Sequence, residues 1–253
     1  MEATAATVWT KKDLIGIREL SRSEIEIILD AAPQFLAVSQ RTSGIKKVPL
    51  LQGRLVGNWF HEPSTRTRTS FELAAKRLSA DTLSITASSS SSVKGETLHD
   101  TMANIEAMRA DIIVLRHGCA GAPRMLAADH QSHIINAGDG RHEHPTQALL
   151  DIYTLQRSFE AHGGIDGKRV VFVGDLLRGR TVRSLALLLT NYRDVDLRFV
   201  APEPLQLGED IQEMLRAAGV RFSLGGDIRA ELPAADAVYM TRIQDEWDSP
   251  GGE

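Results

Sequence analysis

Short apolar runs that alternate with helical patterns constrain this chain more than any other feature. Strand-like runs fall near 54–60, 82–87, 111–116, 133–137, 169–174, 196–201, 220–224 and 237–241. Helical patterns fall near 70–79, 97–109, 122–130, 145–160, 180–191 and 208–218. An earlier helix opens at Ser21-Arg22-Ser23-Glu24, which spells a capping box. It carries Ile25, Ile28, Leu29, Ala32 and Leu36 on one face, and Pro33 should kink or interrupt it. Parallel strands need a crossover between them, usually a helix, so the alternation predicts parallel sheets covered by helices. A fresh strand–turn–helix unit opens at Lys168-Arg169-Val170-Val171-Phe172-Val173, shortly after the pair Gly163-Gly164. The expected architecture is α/β, with two domains, each a mostly parallel sheet flanked by helices. They cover residues 1–147 and 148–253, are joined through the helix at 145–160, and leave a ligand cleft between them.

Several polar segments sit where these strands hand over to helices. Ser64-Thr65-Arg66-Thr67-Arg68-Thr69-Ser70 follows the first strand run and the turn His61-Glu62-Pro63. It precedes Phe71, Ala74, Ala75 and Leu78, spaced as one helix face. Hydroxyls and guanidiniums thus cluster where backbone N–H groups lack partners and the helix dipole is positive, which favours a phosphate. The alternative is an ordinary N-cap with two surface arginines. Val114-Leu115-Arg116-His117 places Arg116 at the carboxyl end of a strand, as a functional group or as a surface arginine.

His142-Glu143-His144, with His130 and His133 elsewhere, reads either as a metal site or as polar groups before a helix start at Pro145. In the second reading His144 and Gln147, one turn inside, are groups that could polarise a carbonyl and bind an amide. Gly174-Asp175-Leu176-Leu177-Arg178-Gly179-Arg180-Thr181 nearly spells a nucleotide-binding P-loop, but Arg180 replaces its lysine and the interior is bulky. The serines of 88–92, followed by Val93-Lys94-Gly95-Glu96-Thr97, are either a linker or a loop tipped by Lys94 that closes over an anion. Val238-Tyr239-Met240-Thr241-Arg242-Ile243-Gln244 sets a further arginine and amide after a strand.

Charge and composition narrow the classes of function. A net charge of −4 gives no global attraction to nucleic acid or acidic membranes, so the arginines act as a local field suited to a small anion. The single cysteine, Cys119, excludes an internal disulfide and fits a reducing compartment. No apolar run reaches membrane-spanning length and Met1-Glu2-Ala3-Thr4 lacks a leader pattern, so a cytoplasmic location is expected. Neither a metal nor a cofactor is expected.

Phe60-His61-Glu62-Pro63-Ser64-Thr65-Arg66-Thr67-Arg68-Thr69-Ser70-Phe71-Glu72 resembles the carbamoyl-phosphate signature of the aspartate and ornithine carbamoyltransferases. Asn136-Ala137-Gly138-Asp139-Gly140 with His144-Pro145-Thr146-Gln147, the segment from Gly174 to Thr181, and Thr241-Arg242-Ile243-Gln244 are similar to the aspartate-specific members. The resemblance implies transfer of a carbamoyl group from carbamoyl phosphate to the α-amine of L-aspartate, an early step of pyrimidine synthesis. It implies that Ser64, Thr65, Arg66 and Thr67 hold the phosphate, and that Gln147 contacts the carbamoyl group. Thr67, Arg116 and His144 would donate to the carbonyl oxygen, while Lys94, Arg180, Arg242 and Gln244 would orient aspartate. Ser90 and Lys94 would enter a neighbouring subunit's site, which implies a homotrimer, with regulatory or dihydroorotase partners left open.

Two rivals remain: a transferase for another amine such as ornithine, and an inactive scaffold relative. The sequence stops at Asp248-Ser249-Pro250-Gly251-Gly252-Glu253, whereas the family continues with a His-Pro-Leu-Pro-type loop and a terminal helix. Either a truncated sequence or the loss of part of the site is therefore expected.

Overall fold

A computed structural model describes residues 8–40, 44, 46–86 and 96–243. The chain divides into two compact units. One comprises Met1–Gly16 and Ser23–Pro145; the other comprises Ile17–Arg22 and Thr146–Glu253.

The first unit is built on a four-stranded parallel sheet in the order β2-β1-β3-β4. Its strands are β1 (Leu55–Phe60), β2 (Asp81–Thr86), β3 (Ile112–His117) and β4 (His133–Asp139). Its helices are α1 (Arg22–Ala31), α2 (Leu36–Gln40), α3 (Thr65–Arg77), α4 (Leu98–Ala107) and α5 (Ala122–Asp129). Side chains alternate across the sheet, so β1 feeds two cores. Val56 and Phe60 pack with Ala75 of α3, Val114 and Ala137. Trp59 packs on the opposite face with Met102 and Ile105 of α4, Leu126 of α5, Ile113, Leu115 and Ile134. At Gly57 a side chain would come within 2.8 Å of Ile113 Cδ1, so the central strand tolerates no larger residue there without repacking.

Pro33 falls in a 3₁₀ turn, Ala32–Phe35, that separates α1 from α2, as the missing N–H and fixed φ of proline dictate. A feature without a sequence signal is the early segment against β4: Leu14 N–H donates to Ile134 O and Asn136 N–H to Leu14 O, both at 2.9 Å.

The second unit repeats the plan with a four-stranded parallel sheet ordered β7-β6-β5-β8. Its strands are β5 (Arg169–Val173), β6 (Asp196–Val200), β7 (Arg221–Gly225) and β8 (Ala237–Met240). Helix α6 (Pro145–Phe159) leads into it, followed by α7 (Arg180–Leu189), α8 (Glu209–Ala217) and the short α9 (Ile228–Glu231). Phe172 and Phe199 stack at 5.0 Å across β5 and β6. Helix α7 buries Val182, Leu185, Ala186, Leu188 and Leu189, matching its leucine-rich sequence. The α/β class and the parallel sheets agree with the sequence expectation.

Candidate functional site

Each sheet has a place where its strand order reverses, and ligands of open parallel sheets bind outside the carboxyl ends of the strands there. In the first unit the reversal lies between β1 and β3, since β1 is flanked by β2 on one side and β3 on the other. Phe60, which ends β1, is in register with Arg116 near the end of β3. The segments after these strands are tied together. His61 N–H donates to Arg116 O at 2.8 Å, and Glu62 Oε2 lies 3.1 Å from Arg116 Nε. Arg116 Nη1 donates to Ala137 O of β4 at 3.4 Å. His61 and His117 meet edge to face at 4.7 Å. Burial pushes the pKa of each below the usual imidazole value, which keeps both rings neutral beside the guanidinium.

Helix α3 begins earlier than its apolar spacing suggests. Ser64 takes the N-cap position with an extended backbone (φ −159°, ψ 95°), so Thr65, Arg66 and Thr67 form the first helical turn. The Ser64 side chain makes no capping hydrogen bond here. The first N–H to find a backbone acceptor is that of Arg68, which donates to Ser64 O at 3.2 Å. Those of Thr65, Arg66 and Thr67 have no acceptor among the described residues, as expected for a first turn. Arg66 is exposed, while Ser64 and Thr67 are half-buried. The turn combines unsatisfied donors, hydroxyls, a guanidinium and the positive end of a thirteen-residue dipole.

Asp139, at the end of β4, organises the next loop. Its Oδ2 accepts from Gly121 N–H (2.8 Å) and pairs with His142 Nδ1 (3.0 Å). Its Oδ1 accepts from Glu143 N–H (2.9 Å) and Asn136 Nδ2 (3.2 Å). Burial alone would raise the Asp139 pKa, but these four hydrogen bonds outweigh it and hold the carboxyl below its usual range. His142 is therefore a partner of Asp139. Among the described residues no group of three or more His, Cys, Asp or Glu side chains is placed to hold a metal ion. The ordered loop delivers His144, buried at 4 % exposure, directly before α6, and Gln147 half-buried within the first turn of that helix.

In the second unit the reversal lies between β5 and β8. Thr241 N–H donates to Val173 O at 2.8 Å, and Thr241 Oγ1 lies 3.4 Å from Asp175 O. Gly174 has φ +117°, and a side chain there would overlap the Thr241 backbone. The segments bearing Arg180 and Arg242 thus leave adjacent strands. Arg180 is the first residue of α7 and is half-buried; Arg242 is exposed just after β8.

The turn that resembles a P-loop differs in use. Leu176 and Leu177 N–H both donate to Leu205 O (2.9 and 3.1 Å), and Arg178 N–H donates to Asp175 Oδ1 (3.0 Å). With three successive N–H groups bonded internally, this turn cannot cradle a triphosphate. Ser90, Lys94 and Gln244 lie outside the described residues.

Sequence reasoning gave no role to Glu62, Asp139, Asp151 or Tyr239. Glu62 and Asp139 stand inside the polar segments singled out from the sequence, which was the available signal. Tyr239 and Asp151 are linked by a hydrogen bond across 88 positions, for which no local signal exists.

Residues 12–157 match the family model for the carbamoyl-phosphate-binding domain of aspartate/ornithine carbamoyltransferases. The chain is 50 % identical to the aspartate carbamoyltransferase catalytic subunit of Syntrophus aciditrophicus over 238 residues, 94 % of this chain and 73 % of the relative. It is 47 % identical to the corresponding subunit of Sorangium cellulosum over 243 residues, 94 % of this chain and 70 % of the relative. Among solved structures it is similar to the catalytic subunit of M. jannaschii aspartate transcarbamoylase, with TM-score 0.82 and 43 % identity over 95 % of this chain and 77 % of the other. It is also similar to aspartate transcarbamoylase from Trypanosoma cruzi in complex with N-(phosphonacetyl)-L-aspartic acid, with TM-score 0.83 and 33 % identity over 92 % of this chain and 73 % of the other.

Proposed function

The chain belongs to the aspartate/ornithine carbamoyltransferase family, and on that premise we propose the reaction and the role of each residue in it. The protein transfers the carbamoyl group of carbamoyl phosphate to the α-amine of L-aspartate, giving N-carbamoyl-L-aspartate and phosphate, a step of pyrimidine biosynthesis. The first unit serves carbamoyl phosphate and the second serves aspartate. The observation that carries this reading is the placement of arginines at both points of strand reversal, one of them beside a helix start whose N–H groups lack acceptors.

The phosphate rests on the first turn of α3, held by the N–H groups and by Ser64, Thr65, Arg66 and Thr67. Arginine meets two phosphate oxygens at once, which a lysine cannot do. Glu62, 3.1 Å from Arg116 Nε, fixes the direction of the Arg116 guanidinium. Thr67, Arg116 and His144 donate to the carbonyl oxygen, and Gln147 meets the carbamoyl nitrogen. A substrate with two carboxylates needs two separated cations, and Arg180 and Arg242 supply them, assisted by Gln244 and Lys94. Ornithine, with a cationic side chain, would be repelled there.

The amine lone pair attacks the carbonyl carbon and the C=O electrons move onto oxygen. Donors already aimed at that oxygen stabilise the oxyanion as it forms, which is usually the largest single contribution to the rate. Collapse restores C=O and breaks the bond to the phosphate oxygen; phosphate departs and takes up the proton that the amine loses. Holding both reactants in line replaces a bimolecular encounter with a near-unimolecular step.

The loop bearing Ser90 and Lys94 completes the site of a neighbouring subunit in a homotrimer. Light scattering of the purified protein should give three times the chain mass; a monomer with full activity would remove the loop from the mechanism. The reaction itself is tested by supplying carbamoyl phosphate labelled in its carbonyl carbon with aspartate or with ornithine. Label should appear in N-carbamoyl-L-aspartate. Label in citrulline, or in no product beyond hydrolysis, would overturn the reading.

A further inference from the structure

Asp151 stands one helical turn beyond Gln147 on α6, and its two oxygens face different elements. Oδ1 accepts from Gln147 Nε2 at 2.9 Å. Oδ2 accepts from the Tyr239 hydroxyl of β8 at 2.9 Å. Tyr239 is itself held: Thr181, next to Arg180, hydrogen-bonds its hydroxyl, and its ring lies 5.5 Å from that of Phe172. Burial raises the pKa of Asp151, while the hydrogen bonds from Gln147 and Tyr239 favour its ionised form, which accepts hydrogen bonds but does not donate them. The group that meets it from Gln147 must therefore be the amide nitrogen.

We infer that Asp151, clamped by Tyr239, is a positioning residue that sets which end of the Gln147 amide meets the carbamoyl group. It thereby makes the site select a ligand bearing NH₂ over one bearing methyl. This rests on the role of Gln147 in holding carbamoyl phosphate, proposed above. An amide has a donor end and an acceptor end, and rotation about its last bond exchanges them at little steric cost. With Nε2 directed to Asp151, Oε1 points the other way and accepts a hydrogen bond from the carbamoyl NH₂. Flipped, the amide would set N–H against N–H. A site that hydrogen-bonds a substrate N–H rejects the isostere lacking it.

The test is calorimetric titration of the full chain with phosphonoacetamide and with 2-oxopropylphosphonate. Both carry a stable P–C bond, and they differ by NH₂ against CH₃. Wild type should bind the amide roughly tenfold more tightly, the worth of one good hydrogen bond. In Asp151→Asn the new amide can donate to Oε1 as readily as it accepts from Nε2. The preference should fall to near parity through weaker amide binding, with the methyl analogue within about twofold of wild type. Tyr239→Phe keeps the carboxylate but releases its clamp, so the preference should fall part way; it also carries the test if Asp151→Asn fails to fold. Equal weakening of both analogues, or an unchanged preference, would overturn the inference, because simple structural support moves both alike. Arg66→Ala separates this inference from the reading beneath it. If Arg66→Ala abolishes binding while the Asp151 variant keeps its preference, the phosphate assignment stands and the positioning role falls. If Arg66→Ala leaves both affinities intact, both fall.

Discussion

The turn from β1 into α3 and the turn from β5 into α7 occupy equivalent places, each at the carboxyl end of the strand beside its sheet's point of reversal. They use their backbones in opposite ways. After β1 the chain turns through Pro63 and Ser64 and starts a helix with no capping hydrogen bond from the Ser64 side chain, leaving N–H groups for an anion. After β5 the N–H groups at 176, 177 and 178 are bonded to Leu205 O and Asp175 Oδ1, so in the proposed function recognition falls to side chains such as Arg180. On the proposed reading, the same topology serves as a phosphate cradle in one unit and as a side-chain carboxylate site in the other. What decides between them is whether the turn satisfies its own donors.

Predictions can strain this contrast, beginning with the largest effect. Arg66→Ala should cost at least about a hundredfold in kcat/KM for carbamoyl phosphate, since it removes a charged donor from the cradle. Arg180→Ala should raise the aspartate KM by roughly ten- to a hundredfold, the worth of a hydrogen bond to a charged group, and leave phosphonoacetamide affinity unchanged. Steady-state kinetics with each substrate varied separates the two. If Arg180→Ala weakened the phosphonate analogue as strongly as Arg66→Ala does, the division of labour would fail.

Gly174→Ala should destabilise the second unit by about 1–3 kcal/mol, because the residue must hold φ +117° against the Thr241 backbone. Urea denaturation measures it. Gly53, whose φ is also positive but which has open space around it, is the control and should cost less.

The smallest effect is confined to stability. Glu106 accepts from the N–H groups of Gln131 and Ser132 and pairs with His130. Burial raises its pKa, but these partners outweigh burial and bring it from 4.5 down to about 2. A carboxyl depressed on folding stabilises the protein fully above pH 4.5, and that contribution is lost as pH falls toward 2. Glu106→Gln should flatten the acid limb of a stability-against-pH curve in that window while leaving phosphonate affinity untouched. An unchanged acid limb would show that the hydrogen bonds contribute nothing net.

The sequence disclosed what is local and withheld what is not. Alternating apolar runs set the strands within a residue or two, because parallel strands buried on both faces must be apolar. Helix α3 starts before the expected position near 70, since its apolar spacing begins at Phe71 whereas Thr65, Arg66 and Thr67 already form its first turn. The segment proposed to hold phosphate stands out in the sequence because its polar residues are contiguous. Of the four partners of Asp139 only Gly121 is distant in sequence. The Glu62–Arg116 pair and the Asp151–Tyr239 link do not stand out, since each joins residues through the fold. The lie of residues 14 and 15 along β4 was hidden for the same reason.

The most direct test is a crystal structure with N-(phosphonacetyl)-L-aspartate, which joins a phosphonate to the two carboxylates of aspartate. The account predicts the phosphonate on the N–H groups and side chains of Ser64–Thr67, and the carboxylates on Arg180 and Arg242. A phosphonate seated in the turn after β5, or carboxylates held by other side chains, would contradict it.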